Sequence, residues 1–534
     1  MVRLNNKWEN LILLCILGFG AVFLFYHAEH YFLWGDEGVT AVHGKNVLKY
    51  GLPYGFDGRN FLEFRNGIFL NAALLPTYDP WGQYYISALS QQIFGTNTFG
   101  ARALFIAFGF AAILTQFLFV RSYFKDRQLA IINVFLMVTS ITFVLFSRQG
   151  RYYPLGMFLG PLIAYAYSRF SNRRIEIFLV TVLFILFFFT NSLIGFAVIA
   201  AMGISFFLFD ERKKALYFYL APIPFVVLSI GIFLLWLYQY GVPANPHIFQ
   251  NIHPIDFGRI FLLYIRDYNE TQLLPYGALF LLLFMWLKDG IAKRVEFIKT
   301  KRQEISVIAI VFFTTLLIAI LSPQSSDAAH SDIRYATPIF SFLLLIQALV
   351  IRHFFSWKKW AGSLLFAIVI GTNLLTFTPF RSYLLDYIQE NLQPFDNSVK
   401  AAVLFLEKRV AQDDIVLVSP NHMLGSVLFY LGDRMLFCNV VSEDNRHVLE
   451  RQVALPQYIY SGAVVPKWVV LFGLRSDLPH TKNQLNKLPR KDYRMHRLPI
   501  FGPDVSRPEL FWRSFSPVTG YPDALGLYIL ERIR

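Results

Sequence analysis

The sequence predicts an all-α, multi-pass membrane protein of about eleven transmembrane helices, followed by a small α/β domain. Two observations carry that expectation. Hydrophobic residues make up 55% of the 534-residue chain and charged residues 16%, which is less charge than a soluble protein carries. The apolar residues also come in long blocks, many near the ~20 residues that cross a ~30 Å hydrocarbon core.

The first block, 11–27, follows Arg3 and Lys7 as a signal peptide would. No small-residue cleavage site comes after it and further blocks do, so it reads as an uncleaved anchor. The remaining blocks lie near 99–120, 128–146, 152–168, 175–190, 193–209, 217–238, 273–287, 304–322, 336–351 and 360–378. As one helix, 175–209 would rise about 52 Å, so the reading divides it at Asn191-Ser192. That division places the clusters around Arg121, Arg173, Lys213, Lys293 and Lys358 on one side, as the positive-inside rule asks. The expected topology has the N-terminus in the cytoplasm and the C-terminus outside, in a plasma (inner) membrane.

Residues 28–98 then form a long first outer loop, with amphipathic helices expected to lie on the membrane at 38–50 and 83–94. A second outer loop, 239–272, contains Pro243, Pro246 and Pro254. From about 379 the chain turns polar, with helix-like 396–411 and 422–431 and strand-like 414–419 and 468–472. The expected division is therefore a membrane domain, 1–378, and an extracytoplasmic α/β domain, 379–534.

The formal charge of +14 resides largely in short loops between apolar blocks, which points to topology and anionic lipid rather than nucleic acid. Cys15 lies in the first block and Cys438 far along the polar tail, so neither a disulfide framework nor a thiolate metal site is expected. Absence of a P-loop weighs against an ATP-driven pump.

The chemistry gathers at the outer lip. Asp36 and Glu37 stand side by side where the chain leaves its first block. Asp36 could cap a helix starting near Gly38, but capping accounts for one acid and not for two. The short outer turns 147–151 and 323–335 hold Arg148, Arg151 and Arg334 and no lysine. Arginine suits bidentate contact with phosphate and stays charged near a low-dielectric surface. The alternatives are snorkelling or a structural pair such as Arg334 with Asp332. In Tyr78-Asp79-Pro80-Trp81-Gly82-Gln83-Tyr84-Tyr85 the aromatics suit an interfacial anchor, and Asp79 either starts a turn or returns a carboxylate to the site. His330 reads as a loop residue before it reads as a catalyst. Asp36, Glu37 and Asp79 could together hold a divalent cation through oxygen ligands; no other cofactor is expected.

These residues resemble a family. Asp36-Glu37-Gly38 follows the first span, Tyr78–Tyr85 runs into Ile93-Phe94-Gly95, and Phe99-Gly100-Ala101-Arg102 opens the second. Ser147-Arg148-Gln149-Gly150-Arg151-Tyr152-Tyr153-Pro154 and Arg334-Tyr335 precede later spans. The pattern is similar to the GT-C glycosyltransferases of the dolichyl-phosphate-mannose protein mannosyltransferase and aminoarabinose transferase type. It covers roughly residues 1–380. The resemblance implies a multi-pass enzyme that takes a sugar from a polyprenyl-phosphate donor, with inversion, and hands it to a lipid, glycan or protein acceptor on the non-cytoplasmic face. It implies Asp36 at the catalytic centre with Glu37 in support, and Arg148, Arg151 and Arg334 on the donor phosphate. Asp79, Tyr84, Tyr152 and Tyr335 are the candidate acceptor or substrate contacts. The aminoarabinose transferases carry Glu-Lys-Pro where this chain has Tyr78-Asp79-Pro80, a departure that bears on any substrate or metal role for Asp79. A lipid-linked-sugar transporter or flippase is the alternative, although such proteins place their polar sites near the bilayer midplane.

Overall fold

A computed structural model describes residues 6–62, 70–77, 79–239, 254–272, 301–321, 331–374, 384–392, 397–439, 455–460, 464–472, 490–501 and 526–533. The chain opens with α1 (Asn6–Phe25) and continues through α2 (Gly35–Tyr50), α3 (Gly82–Phe94), α4 (Thr98–Phe124), α5 (Arg127–Thr139), α6 (Ile141–Ser147) and α7 (Tyr153–Arg169). Polar caps decide where several of these helices start. Asn97 accepts from the Gly100 N–H at 2.8 Å to begin α4, and Asp126 accepts from Leu129 at 3.0 Å to begin α5. The break expected at Asn191 is present, because its side chain accepts from the Ile194 N–H at 3.1 Å and starts a new helix, Ser192–Phe209.

The expectation of about eleven spans is corrected. Among the described residues, 6 helices are long and apolar enough to cross a membrane, or 7 if one bent pair is a single span. The block 128–146 is that pair: α5 and α6 meet at 71°, where Ser140 caps the second helix through the Phe143 N–H. The blocks 152–168 and 175–190 form helices of 17 residues each. At 1.5 Å per residue they rise about 25 Å, short of a ~30 Å hydrocarbon core. The block 360–378 gives only a short apolar helix, Lys359–Gly371, and 273–287 lies outside the described residues. With a count of six or seven, the charge-parity argument no longer fixes the orientation of the termini. The protein remains a multi-pass membrane protein.

Two further segments differ from expectation. Within the second loop, Pro254–Gln272 is a helix, and it carries Asp267 fully buried. The helix α2 is packed into the protein more fully than an amphipathic surface helix would be. It is clamped on both sides by protein, with Thr40, Ala41, Val42, His43, Asn46 and Val47 all buried.

One side of that clamp is the C-terminal domain, a small mixed β-sheet of five strands in the order β2 (Leu436–Cys438), β1 (Ile415–Ser419), β3 (Trp468–Phe472), β5 (Gly526–Arg532), β4 (Tyr493–Phe501). β1 runs parallel to β2 and β3, whereas β5 is antiparallel to β3 and β4. Side chains alternate between the two faces, as strand geometry requires. Val416, Val418, Val470 and Ile529 face a core shared with the helices Ser398–Glu407 and Leu424–Leu431, and that core also takes in Ala41 and Val42 of α2. Leu417, Val469, Leu471 and Tyr528 form the opposite face.

The contact between α2 and Leu424–Leu431 is made backbone to backbone. A Cβ on Gly38 would lie 2.3 Å from the Ser426 nitrogen, and one on Gly425 would lie 2.7 Å from the Val39 nitrogen. Only glycine allows that approach. On its other side α2 meets α3, where a Cβ on Gly44 would lie 2.7 Å from Ser87 Oγ.

Candidate active site

The first turn of α2 carries both acids, and a helix N-terminus favours negative charge there. Their environments are unlike. Glu37 is wholly buried and accepts from Arg102 Nε at 2.8 Å, Arg102 Nη2 at 2.5 Å, the Gly150 N–H at 2.6 Å and the Trp34 N–H at 3.4 Å. A carboxylate has about four lone-pair sites, so these donors saturate it. Arg102 spends its remaining nitrogen on the carbonyls of Ala28, at 2.8 Å, and Tyr31, at 2.7 Å. One ion pair thus ties the end of α1, the start of α2, the start of α4 and the turn before α7. The reach back from Glu37 to Trp34 is the capping interaction, so the cap falls to Glu37 and not to Asp36.

The Asp36 side chain is 21% exposed and faces two guanidinium groups. Arg151 Nη2 stands 3.5 Å from its Oδ2, and Arg334 Nη1 stands 3.3 Å from the same oxygen. Charge-assisted N–H···O bonds ordinarily measure about 2.7–2.9 Å, so both contacts are longer than a tight ion pair. Arg151 also donates to the Asp36 carbonyl at 3.2 Å and to Thr40 Oγ1 at 3.3 Å, which fixes it along the first turn of α2. Arg334 makes closer bonds to Asp332, at 2.6 and 2.7 Å, so the structural pair foreseen from the sequence exists alongside its contact with Asp36.

Three of the singled-out residues therefore meet: Asp36, Arg151 and Arg334. Asp79 lies close enough for its charge to act on Arg151, and its Oδ2 accepts from Tyr84 OH at 3.2 Å. Burial pushes the Asp79 carboxyl above its usual range, partly offset by Arg151. Burial works against the Arg151 charge, but the Asp36 and Asp79 carboxylates outweigh it and hold the guanidinium pKa above its ordinary value. Tyr152 and Tyr335 lie under the guanidiniums of Arg151 and Arg334, at 5.5 and 5.6 Å. Arg148 is engaged elsewhere. It donates to the Phe23 carbonyl at 3.0 Å and to Tyr387 OH, and it stands 5.3 Å from the Tyr387 ring. His330 lies outside the described residues.

The sequence reading missed Arg102 and Gly150 as partners of Glu37. The signal was present, since a lone arginine near the start of an apolar helix requires an acid. It also missed His43, which is buried one turn beyond Thr40 with its ring 4.5 Å from that of Tyr84. Burial lowers His43 to about 4, and its Nδ1–H donates to the Pro53 carbonyl at 3.1 Å, so the imidazole is neutral.

A divalent cation does not fit the trio Asp36, Glu37 and Asp79. Glu37 has no lone pair to give, and Asp36 already faces two positive groups. Among the described residues no three His, Cys, Asp or Glu side chains gather as a metal site.

No protein-family model matches this chain, and no curated protein does. Its fold is similar to that of ArnT from Cupriavidus metallidurans. The crystal structure of ArnT bound to undecaprenyl phosphate matches with a TM-score of 0.52 at 12% identity, over 99% of this chain and 98% of the other. The apo structure matches with a TM-score of 0.51, at the same identity and coverage. A fainter likeness, with a TM-score of 0.48 at 12% identity, over 90% of this chain and 71% of the other, is to the Archaeoglobus fulgidus oligosaccharyltransferase in complex with Zn and sulfate; it is too distant to carry an argument. The chain therefore shares its fold with ArnT.

Proposed function

We propose that this protein transfers a sugar from a polyprenyl-phosphate donor to a hydroxyl of a lipid, glycan or protein acceptor, with inversion. In this reading the reaction occurs on the non-cytoplasmic face of the plasma membrane, with the N-terminus inside and the C-terminal domain outside. The observation that carries the proposal is the meeting of the Asp36 carboxylate with the guanidiniums of Arg151 and Arg334.

The chemistry follows from those three groups. Without donor, Asp36 is the counter-ion of the two arginines. A donor phosphate offers them a better-matched acceptor and releases the carboxylate. The acceptor oxygen then forms its bond to the anomeric carbon while the bond from that carbon to the phosphate oxygen breaks. Its electron pair leaves with the phosphate, where Arg151 and Arg334 stabilise the growing charge. The acceptor proton passes to Asp36 as general base. Glu37 acts through Arg102 and the Gly150 N–H to hold α2 and the Arg151 turn in register. Asp79 and Tyr84 border the site beside Arg151, and the rings of Tyr152 and Tyr335 wall it.

Purified protein given a polyprenyl-phosphate sugar tests the reading. Asp36→Asn is expected to lower turnover by ~10²–10⁴-fold while donor binding persists. Near-normal turnover in that variant would overturn the base assignment. Arg151→Ala and Arg334→Ala are each expected to raise the KM for donor, and an unchanged KM in both would remove the phosphate clamp.

A further inference from the structure

The clamp around α2 leaves a cavity of about 300 Å³ between its second half and the C-terminal domain. Its charged walls are Lys45 and Lys49 from α2, Asp57 from the loop that follows, and Asp433 from beyond the helix Leu424–Leu431; Asn46 and Thr96 add neutral polar surface, and Val42 and Leu428 aliphatic surface. Lys45 is nine residues past Asp36, which places it about 13 Å further along the axis and on the opposite side of the helix. The cavity is therefore separate from the arginine–Asp36 group.

We propose that this cavity is a second site, one that binds a neutral, hydroxyl-rich unit of a carbohydrate. The charge pattern selects that class. Lys45 Nζ is 3.2 Å from Asp433 Oδ2, and Lys49 Nζ donates to the Asp57 carbonyl at 2.9 Å. Two cations and two carboxylates cancel, so a phosphate entering here would meet Asp433 and Asp57 as well as the lysines. Vicinal hydroxyls each donate and accept, which suits a wall where the Lys45 ammonium stands at hydrogen-bond distance from the Asp433 carboxylate and the Lys49 ammonium from the Asp57 carbonyl. Each ammonium carries three donors; Lys45 spends a second on the Phe429 carbonyl at 3.4 Å and Lys49 a second on the Tyr50 side chain, which leaves one on each. The volume lies at the small end of the ligand-pocket range of ~300–1,000 Å³, room for one sugar unit. The apolar residues would meet the C–H face of a ring. The assignment does not depend on the role of Asp36.

The test uses the full chain in lipid nanodiscs, free of sugar-headed detergent. Glucose, galactose, mannose, N-acetylglucosamine and inorganic phosphate are titrated in turn, with binding read by saturation-transfer NMR. At least one sugar is expected to bind saturably, and Lys45→Ala and Asp433→Ala are each expected to weaken it about tenfold, ~1.4 kcal/mol. Asp36→Asn is expected to leave this affinity unchanged, whatever it does to turnover. Asp433 has an exposed side chain, so its truncation spares the fold and keeps the test decisive if the Lys45 variant misfolds. Lack of saturation by every sugar, equal binding by Asp433→Ala and the natural chain, or displacement of bound sugar by phosphate would each overturn the proposal.

Discussion

Asp36 and Glu37 are neighbours in the chain and opposites in the fold. Glu37 is sealed from solvent with donors at 2.5 to 2.8 Å from Arg102 and Gly150. Asp36 remains open to solvent, and its guanidinium contacts are no closer than 3.3 Å. The difference teaches how the same charge serves two ends. A carboxylate with every lone pair engaged fixes structure; the one with longer guanidinium contacts is, in the proposed function, the one that takes the proton.

The comparison breaks first on activity. Asp36→Asn should cost ~10²–10⁴-fold in turnover, equivalent to roughly 3–5.5 kcal/mol of barrier, with an unchanged thermal unfolding profile. Arg102→Ala should do the converse and destabilise the protein, because it leaves a buried carboxylate without its counter-ion. Losses of that kind run to about 3–5 kcal/mol, readable as a lowered unfolding midpoint or failure to accumulate in the membrane. If Arg102→Ala were stable and Asp36→Asn unstable, the two roles would be exchanged.

A third test sharpens the picture through pH. The folded protein binds the His43 proton only near pH 4, whereas the unfolded chain binds it near 6.5. Below 6.5 the unfolded state therefore carries more protons, and stability falls as pH drops from 6.5 towards 4. The gap corresponds to about 3 kcal/mol at full extent. A His43→Gln variant should show a flatter stability profile across that window, and an unchanged profile would remove His43 as its cause. The smallest effect belongs to Arg148→Ala, whose contacts run to Phe23 and Tyr387. It should move the donor KM by less than about threefold, against a larger rise for Arg151→Ala; each ~1.4 kcal/mol of lost donor affinity is tenfold.

Much of the local structure was legible. Helices expected at 38–50 and 83–94 are Gly35–Tyr50 and Gly82–Phe94, and the strand at 468–472 is Trp468–Phe472. Caps and alternation are short-range signals, and Asn191 or the run Trp468-Val469-Val470-Leu471-Phe472 displays them directly. The span count failed because hydropathy sums composition and cannot see that Ser140 turns a helix through a right-angle-like bend, nor that a 17-residue helix falls short. In the site, Asp36 with Arg151 and Arg334 could be proposed from charges standing against the orientation bias. The Glu37–Arg102 pair left a fainter mark, an arginine opening an apolar helix, with nothing in the sequence to say which acid it meets. Burial, which decides that the acid is Glu37 and not Asp36, is a property of the assembled fold.

The glycine contact between positions 38 and 425 carries a consequence for biosynthesis. The helix that presents Asp36 emerges early from the ribosome, but the backbone it must rest on is translated almost four hundred residues later. Until that late segment arrives, the side of the helix turned towards Gly425 is uncovered, and only α3 and the Glu37–Arg102 pair hold it. In the proposed reading, a chain that stops before residue 425 would carry its first spans but lack this support for Asp36, so it would be expected to show reduced turnover.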